Sequence, residues 1–206
     1  MNVAEIKEPR IDVHTNDNII KIINKTLSFN SRIAEKLKEN QAMILSINNS
    51  YMSKISILQE ELVLTHGDLD QLNVIWDKTH NPFLIDWESV KKMNRTRDIV
   101  RTSLNWSGLG QKNFSLFTYL QMLYAYKKLG GNLNKEHVEA ALYSIFGNMI
   151  NWIIYNIELL SLKQTKTSQE VEILEIDWTL TSMKSLKAKF NVLMNKTIES
   201  ANSKKY

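Results

Sequence analysis

Residues 62–88 read LVLTHGDLDQLNVIWDKTHNPFLIDWE, and this stretch decides how the rest of the chain is understood. Three short apolar runs stand out: Leu62-Val63-Leu64, Asn73 to Trp76, and Phe83 to Ile85. Each has strand length, and Asp77-Lys78-Thr79-His80-Asn81-Pro82 supplies turn residues between the last two, which predicts a β-hairpin. Between Glu60 and Glu88 lie seven acids (Glu60, Glu61, Asp68, Asp70, Asp77, Asp86 and Glu88) against one base, Lys78. A strand ends at a loop holding His66, Gly67 and Asp68; Asn73 opens the next strand and Asp86 closes the one that returns. A hairpin of this length brings its two ends together, so Asn73 and Asp86 are expected as neighbours, with Asp68 beside them. Two carboxylates and an amide oxygen converging on one point make a hard-oxygen site suited to Mg²⁺ and phosphate oxygens. Phosphoryl transfer needs that division: one carboxylate aims the attacking hydroxyl and takes its proton, while the other and an amide hold metal.

Outside this centre the pattern is helical. Asn16 or Asp17 can cap a helix carrying Ile19, Ile20, Ile22, Ile23 and Leu27. A second pattern runs through Ile33, Leu37, Met43, Ile44, Ile47, Tyr51, Ile55 and Leu58, with a break expected near Asn40. Helical spacing returns near 97–106, 113–129, 135–161 and 168–200, with Gly108, Gly110, Gly130 and Gly131 marking ends. The fold class expected is therefore α+β and mostly helical, with a small central β-hairpin. As a single domain, it divides into a helical lead-in (1–60), the loop and hairpin (61–90), a helical subdomain (95–200) and a basic tail (201–206).

Composition excludes several classes. The 206 residues are 43% hydrophobic and 23% charged, ordinary globular values, and long enough to bury a sizeable core. With no cysteine, disulfides, zinc–thiolate sites and thiol nucleophiles are ruled out. No apolar run approaches a membrane span, and the N-terminal residues carry acids without an apolar stretch, so a cytoplasmic protein is expected. The net charge of +4 comes from the end of the chain: Lys184 to Tyr206 holds six lysines and one acid, leaving the remainder near −1. That reads as a solvated basic tail rather than a nucleic-acid or membrane contact.

HGDLDQLNVIW followed by FLIDWE resembles the catalytic loop and metal-binding strand end of the aminoglycoside phosphotransferase and choline kinase families, which are kin of the protein kinases. The resemblance implies a protein-kinase-like C-terminal lobe and an ATP- and Mg²⁺-dependent transfer to a small-molecule hydroxyl. It makes Asp68 the catalytic base, Asn73 a Mg²⁺ ligand, and Asp86 the principal Mg²⁺ ligand bridging the nucleotide phosphates. His66 becomes a structural support bonding backbone near Asp86. Glu88 either touches metal through water or caps the next turn. Asp98 in RTRDIV resembles an aspartate that anchors the catalytic loop from a helix start, and fits an ordinary helix N-cap equally well; the usual Gly and Pro before it are replaced by Lys91 to Arg95. Asp70 is expected in solvent or near the substrate hydroxyl, and Leu69 and Leu72 in the core.

The family's N-terminal nucleotide lobe has no counterpart in the residues before Leu62, which hold no glycine and little strand pattern. The expected protein is thus a C-terminal lobe without that lobe, either a phosphotransferase or a non-catalytic module or split fragment that has lost ATP binding. A partner lobe or a homo-oligomer would cover the exposed surface. The acid-rich centre suits a cationic acceptor, aminoglycoside-like or choline-like. Trp106, Trp152, Tyr155 and Trp178, with Glu158, Glu170, Glu172, Glu175 and Asp177, could hold an ammonium, although the helical spacing of Trp152 and Tyr155 reads first as core.

Overall fold

A computed structural model describes residues 11–109, 113–163 and 169–203. Chain order runs α1 (Asn16–Thr26), α2 (Ser31–Met52), α3 (Ile55–Leu58), β1 (Leu62–Thr65), β2 (Val74–Trp76), β3 (Pro82–Leu84), β4 (Lys91–Asn94), α4 (Arg95–Trp106), α5 (Leu116–Lys128), α6 (Val138–Leu162) and α7 (Glu170–Asn202). The α+β, mostly helical class with a small central hairpin is what the chain adopts. Two compact units result among the described residues: those of Asp12–Lys54 with those of Tyr143–Lys189, and those of Ile55–Leu142 with 190–203. Long helices α6 and α7 contribute residues to both.

In the helical unit, Thr15 rather than Asn16 or Asp17 caps α1, its side chain accepting from Asn18 N. Asn30 caps α2 through Ile33 N at 3.0 Å. The expected break at Asn40 does not occur. Helix α2 runs unbroken because Asn40, though buried, turns its amide back onto the Lys36 carbonyl at 2.7 Å and satisfies itself within the helix. Ile19, Ile23, Leu37 and Ile44 are buried in this unit, as are Ile150, Ile153 and Ile157 of α6. Such burial is where most of the stability of an amphipathic helix comes from. At Gly147 an added Cβ would lie 2.3 Å from the Tyr51 ring, so glycine is what lets α6 and that ring approach each other.

The second unit carries the strands. β1 pairs antiparallel with β4, Leu62 opposite Asn94 and Thr65 opposite Lys91, and β2 pairs with β3, Val74 opposite Leu84. β4 was not expected from KKMN, which offers one apolar residue. It is held by its ladder to β1 and by Asn94, whose buried amide donates to Glu60 O at 2.8 Å and bonds His137 Nδ1 at 2.9 Å. Helix α4 starts directly after β4, with Asn94 Oδ1 accepting from Arg97 N. Buried Val100, Leu104, Tyr119 and Leu123 belong to this unit, and the Tyr119 hydroxyl meets Thr197 Oγ1 at 2.6 Å. Burial pushes that phenol up to about 12, opposed by the bond to Thr197. Gly108 and Gly130 take positive φ at helix ends. Gly110, and Lys204 and Lys205 of the basic tail, lie outside the described residues. Among the described residues no helix is long and apolar enough to cross a membrane.

Candidate active site

The loop between β1 and β2 begins at His66. Its Nε2 lies 2.8 Å from the Ile85 carbonyl, and its ring packs against Trp87 with centroids 4.7 Å apart. That bond ties the start of the loop to the strand end that precedes Asp86. Gly67 follows at φ +78; an added Cβ would sit 2.0 Å from the Ser89 carbonyl, so only glycine allows the loop this close to the segment after β3.

Asp68 is half-exposed and held on both oxygens. Oδ1 accepts from Arg101 Nη2 at 2.8 Å, and Oδ2 from Asn73 Nδ2 at 3.3 Å. The same Asn73 nitrogen donates to the Asp68 carbonyl at 2.7 Å. Asn73 sits at the end of a 3₁₀ turn, Gln71–Asn73, which Asp70 caps: Asp70 Oδ1 accepts from Leu72 N at 2.8 Å and Asn73 N at 3.3 Å. Asp70 is thus committed to building the loop. Trp106 Nε1 adds a bond to Leu69 O at 3.2 Å.

Across the hairpin, Ile85 N donates to Asn73 O at 3.1 Å, extending the β2–β3 ladder by one step and setting Asp86 immediately beyond Asn73. Asp68, Asn73 and Asp86 therefore lie around one end of the hairpin. Asp86 takes left-handed φ 61, ψ 60 and caps nothing with its side chain. A non-glycine residue held there costs free energy that the surrounding structure must offset, a pattern that clusters at functional sites. Glu88 is exposed in the 3₁₀ turn Trp87–Ser89 that follows, so it stands beside Asp86 in sequence without a bond to the Asp68–Asn73 pair. At the far end of the hairpin, Asp77 Oδ1 accepts from Thr79 N at 2.8 Å and Asn81 N at 2.9 Å. These bonds, Asn81 N–H foremost, bring the Asp77 carboxyl down to about 2.

Asp98 is in the first turn of α4, four residues past the Asn94 cap, and so is not an N-cap itself. Burial raises its carboxyl above the ordinary range, against the opposing pull of Arg101, Arg97, His66 and Lys91. Lys91 is lowered, first by burial and then by Arg101 and Arg97. A cluster of one acid among three cations therefore backs the loop: Asp98 with Lys91, Arg97 and Arg101. Sequence reading missed Arg101 and Lys91.

Two further expectations fail. Leu72, placed in the core, is 85% exposed, because the 3₁₀ turn capped by Asp70 points it outward. Trp152 and Tyr155 are 44% and 48% exposed rather than buried. They stack at 5.4 Å, and Trp152 Nε1 donates to Glu175 Oε2 at 3.0 Å. Trp178 is 51% exposed. Asp177 is taken by Lys36, and Glu172 by Lys163 at 2.6 Å.

Residues 28–127 match the phosphotransferase enzyme family. That span contains both HGDLDQLNVIW and FLIDWE, so the resemblance read from those motifs stands. The fold is similar to that of a spectinomycin phosphotransferase solved with ADP and spectinomycin, at TM-score 0.54 and 17% identity over 95% of this chain and 57% of the other. It is also similar to an ethanolamine kinase from Plasmodium vivax, at TM-score 0.50 and 17% identity, over 91% of this chain and 52% of the other. The chain thus spans little more than half the length of either kinase. No curated protein sequence matches it.

Proposed function

We propose that the chain is a phosphotransferase that moves the γ-phosphate of ATP to a hydroxyl of a small, cationic molecule, aminoglycoside-like or choline-like, in an Mg²⁺-dependent reaction. The observation that carries this reading is the convergence of Asp68, Asn73 and Asp86 at one end of the hairpin, inside the span that matches the phosphotransferase family. The donor set fits the metal. Asp86 offers a carboxylate uncommitted to helix capping, and Asn73 spends its amide N–H on Asp68, which leaves the amide oxygen for a hard cation. When bound, Mg²⁺ would neutralise the charge developing on the phosphoryl group. Asp68 orients the acceptor hydroxyl and receives its proton, and His66 keeps the loop in register with the strand end before Asp86.

A cationic acceptor is favoured by the acid-rich loop and hairpin, which hold seven acids against one base between Glu60 and Glu88. In this reading Glu88 reaches the metal only through water, and Asp98 supports the loop from α4. The test is turnover of ATP and Mg²⁺ against a panel of aminated alcohols. Asp68→Asn should lower turnover by about 10²–10⁴-fold with the fold retained; undiminished turnover in that variant contradicts this reading.

A second reading, a kinase-like binding module without ATP binding, rests on a different observation. Exposed Leu72 in the 3₁₀ turn, with exposed Ile75, Trp76 and Phe83 on the hairpin, favours it, since apolar surface of this extent is commonly covered by something. ATP turnover by the purified chain that is lost in Asp86→Ala rules it out.

A further inference from the structure

The site's acid is not left to find its own rotamer. From α4, Arg101 reaches across 33 residues of sequence and uses two different nitrogens: Nη1 donates to Gly67 O at 2.6 Å and Nη2 to Asp68 Oδ1 at 2.8 Å. One rigid, planar group therefore fixes both the backbone carbonyl before Asp68 and the carboxylate itself. The positive φ of Gly67 belongs to the loop conformation in which that carbonyl meets the guanidinium. The carboxylate's other oxygen is held by Asn73.

We infer that Arg101 is a positioning residue, a fork that sets the direction in which the Asp68 carboxylate faces the acceptor hydroxyl; this rests on the reading of Asp68 given above. The chemistry explains why direction would matter. In phosphoryl transfer the protein's contribution is chiefly alignment and electrostatics, because little proton abstraction is needed before the phosphoryl group moves. An acid paired to arginine is a weaker base, which alignment-dominated chemistry tolerates, whereas a misplacement of about 1 Å can cost on the order of 10²-fold in rate. Lysine could keep the charge but not the fork, since an ammonium is a point donor that cannot span the Gly67 carbonyl and the carboxylate in one plane. Lys91 and Arg97 lie close enough to act electrostatically on Asp98, alongside Arg101, so overall charge behind the loop survives the loss of one cation. What is lost with Arg101 is geometry.

The experiment has two arms on the full chain. The first is a urea-unfolding cycle of wild type, Arg101→Met, Asp68→Asn and the double variant, with circular dichroism confirming the folded state of each. A working fork gives non-additivity of about five-fold in the unfolding constant; strict additivity overturns it. The second is steady-state kinetics with the acceptor found in the panel. Arg101→Lys and Arg101→Met should each lower kcat about 10- to 100-fold while the acceptor KM stays within about three-fold. An Arg101→Lys enzyme with wild-type kcat, or a change confined to KM, overturns the positioning role. Should the wild-type chain turn over no acceptor at all, the phosphotransferase reading fails, and the unfolding cycle still decides whether Arg101 holds Asp68.

Discussion

The hairpin and the helical unit are built on opposite principles. In α1, α2 and α6, the inward face of each helix, including Ile19, Ile23, Leu37, Ile44, Ile150 and Ile153, is buried to within a few per cent, and the backbone follows the burial. In residues 62–88 the large apolar side chains face out: Leu64, Leu72, Ile75, Trp76, Phe83 and Trp87 are all exposed. The hairpin and loop hold their shape through polar bonds, with Asp70 capping the 3₁₀ turn, Asp77 closing the hairpin turn, and His66 tied to Ile85 O. Where packing specifies structure, side chains are committed to the core. Where hydrogen bonds specify it, apolar faces and carboxylates stay available for a ligand.

That contrast can be broken by mutation. Leu37→Ala should cost about 2–5 kcal/mol in urea unfolding, because it empties a fully buried position; a loss near zero would mean that α2 is not held by its core. A subtler effect is expected at Asp77. Its carboxyl is depressed in the folded state, so its contribution is present above the unfolded value of 3.8 and is lost as pH falls through about 2. Hairpin amide protection, followed by NMR, should fade across that window in wild type and show no such step in Asp77→Ala. The smallest effect belongs to Leu72→Ser, expected within about 0.5 kcal/mol of wild type since the side chain is almost wholly in solvent. A large loss there would show that the exposed face is covered in solution.

The same contrast explains what could be read from the sequence. Burial leaves a periodic trace, so α1, α2 and the helices after Arg95 were legible from apolar spacing. Turn chemistry made β2 and β3 legible, and motif spacing brought Asp68, Asn73 and Asp86 together on paper. Interactions without a periodic trace were not legible. KKMN has no strand pattern, and β4 exists because the β1 ladder and the buried Asn94 hold it. Arg101 pairs with Asp68 from 33 residues away, and nothing in RTRDIVR says which carboxylate its guanidinium meets. Leu72 looked like core because composition cannot tell an apolar residue turned out by a capped 3₁₀ turn from one turned in. Asn40 looked like a helix break because its bond back to Lys36 O is invisible without coordinates.

The central claim is that Asp86, at the hairpin's end beside Asn73, holds a metal-bound nucleotide. Calorimetry of ATP with and without Mg²⁺, on the wild-type chain and on Asp86→Ala, tests it most directly. Micromolar, Mg²⁺-dependent binding that weakens at least ten-fold in the variant is the predicted result; binding that is absent in wild type, or equal in both proteins, contradicts the account.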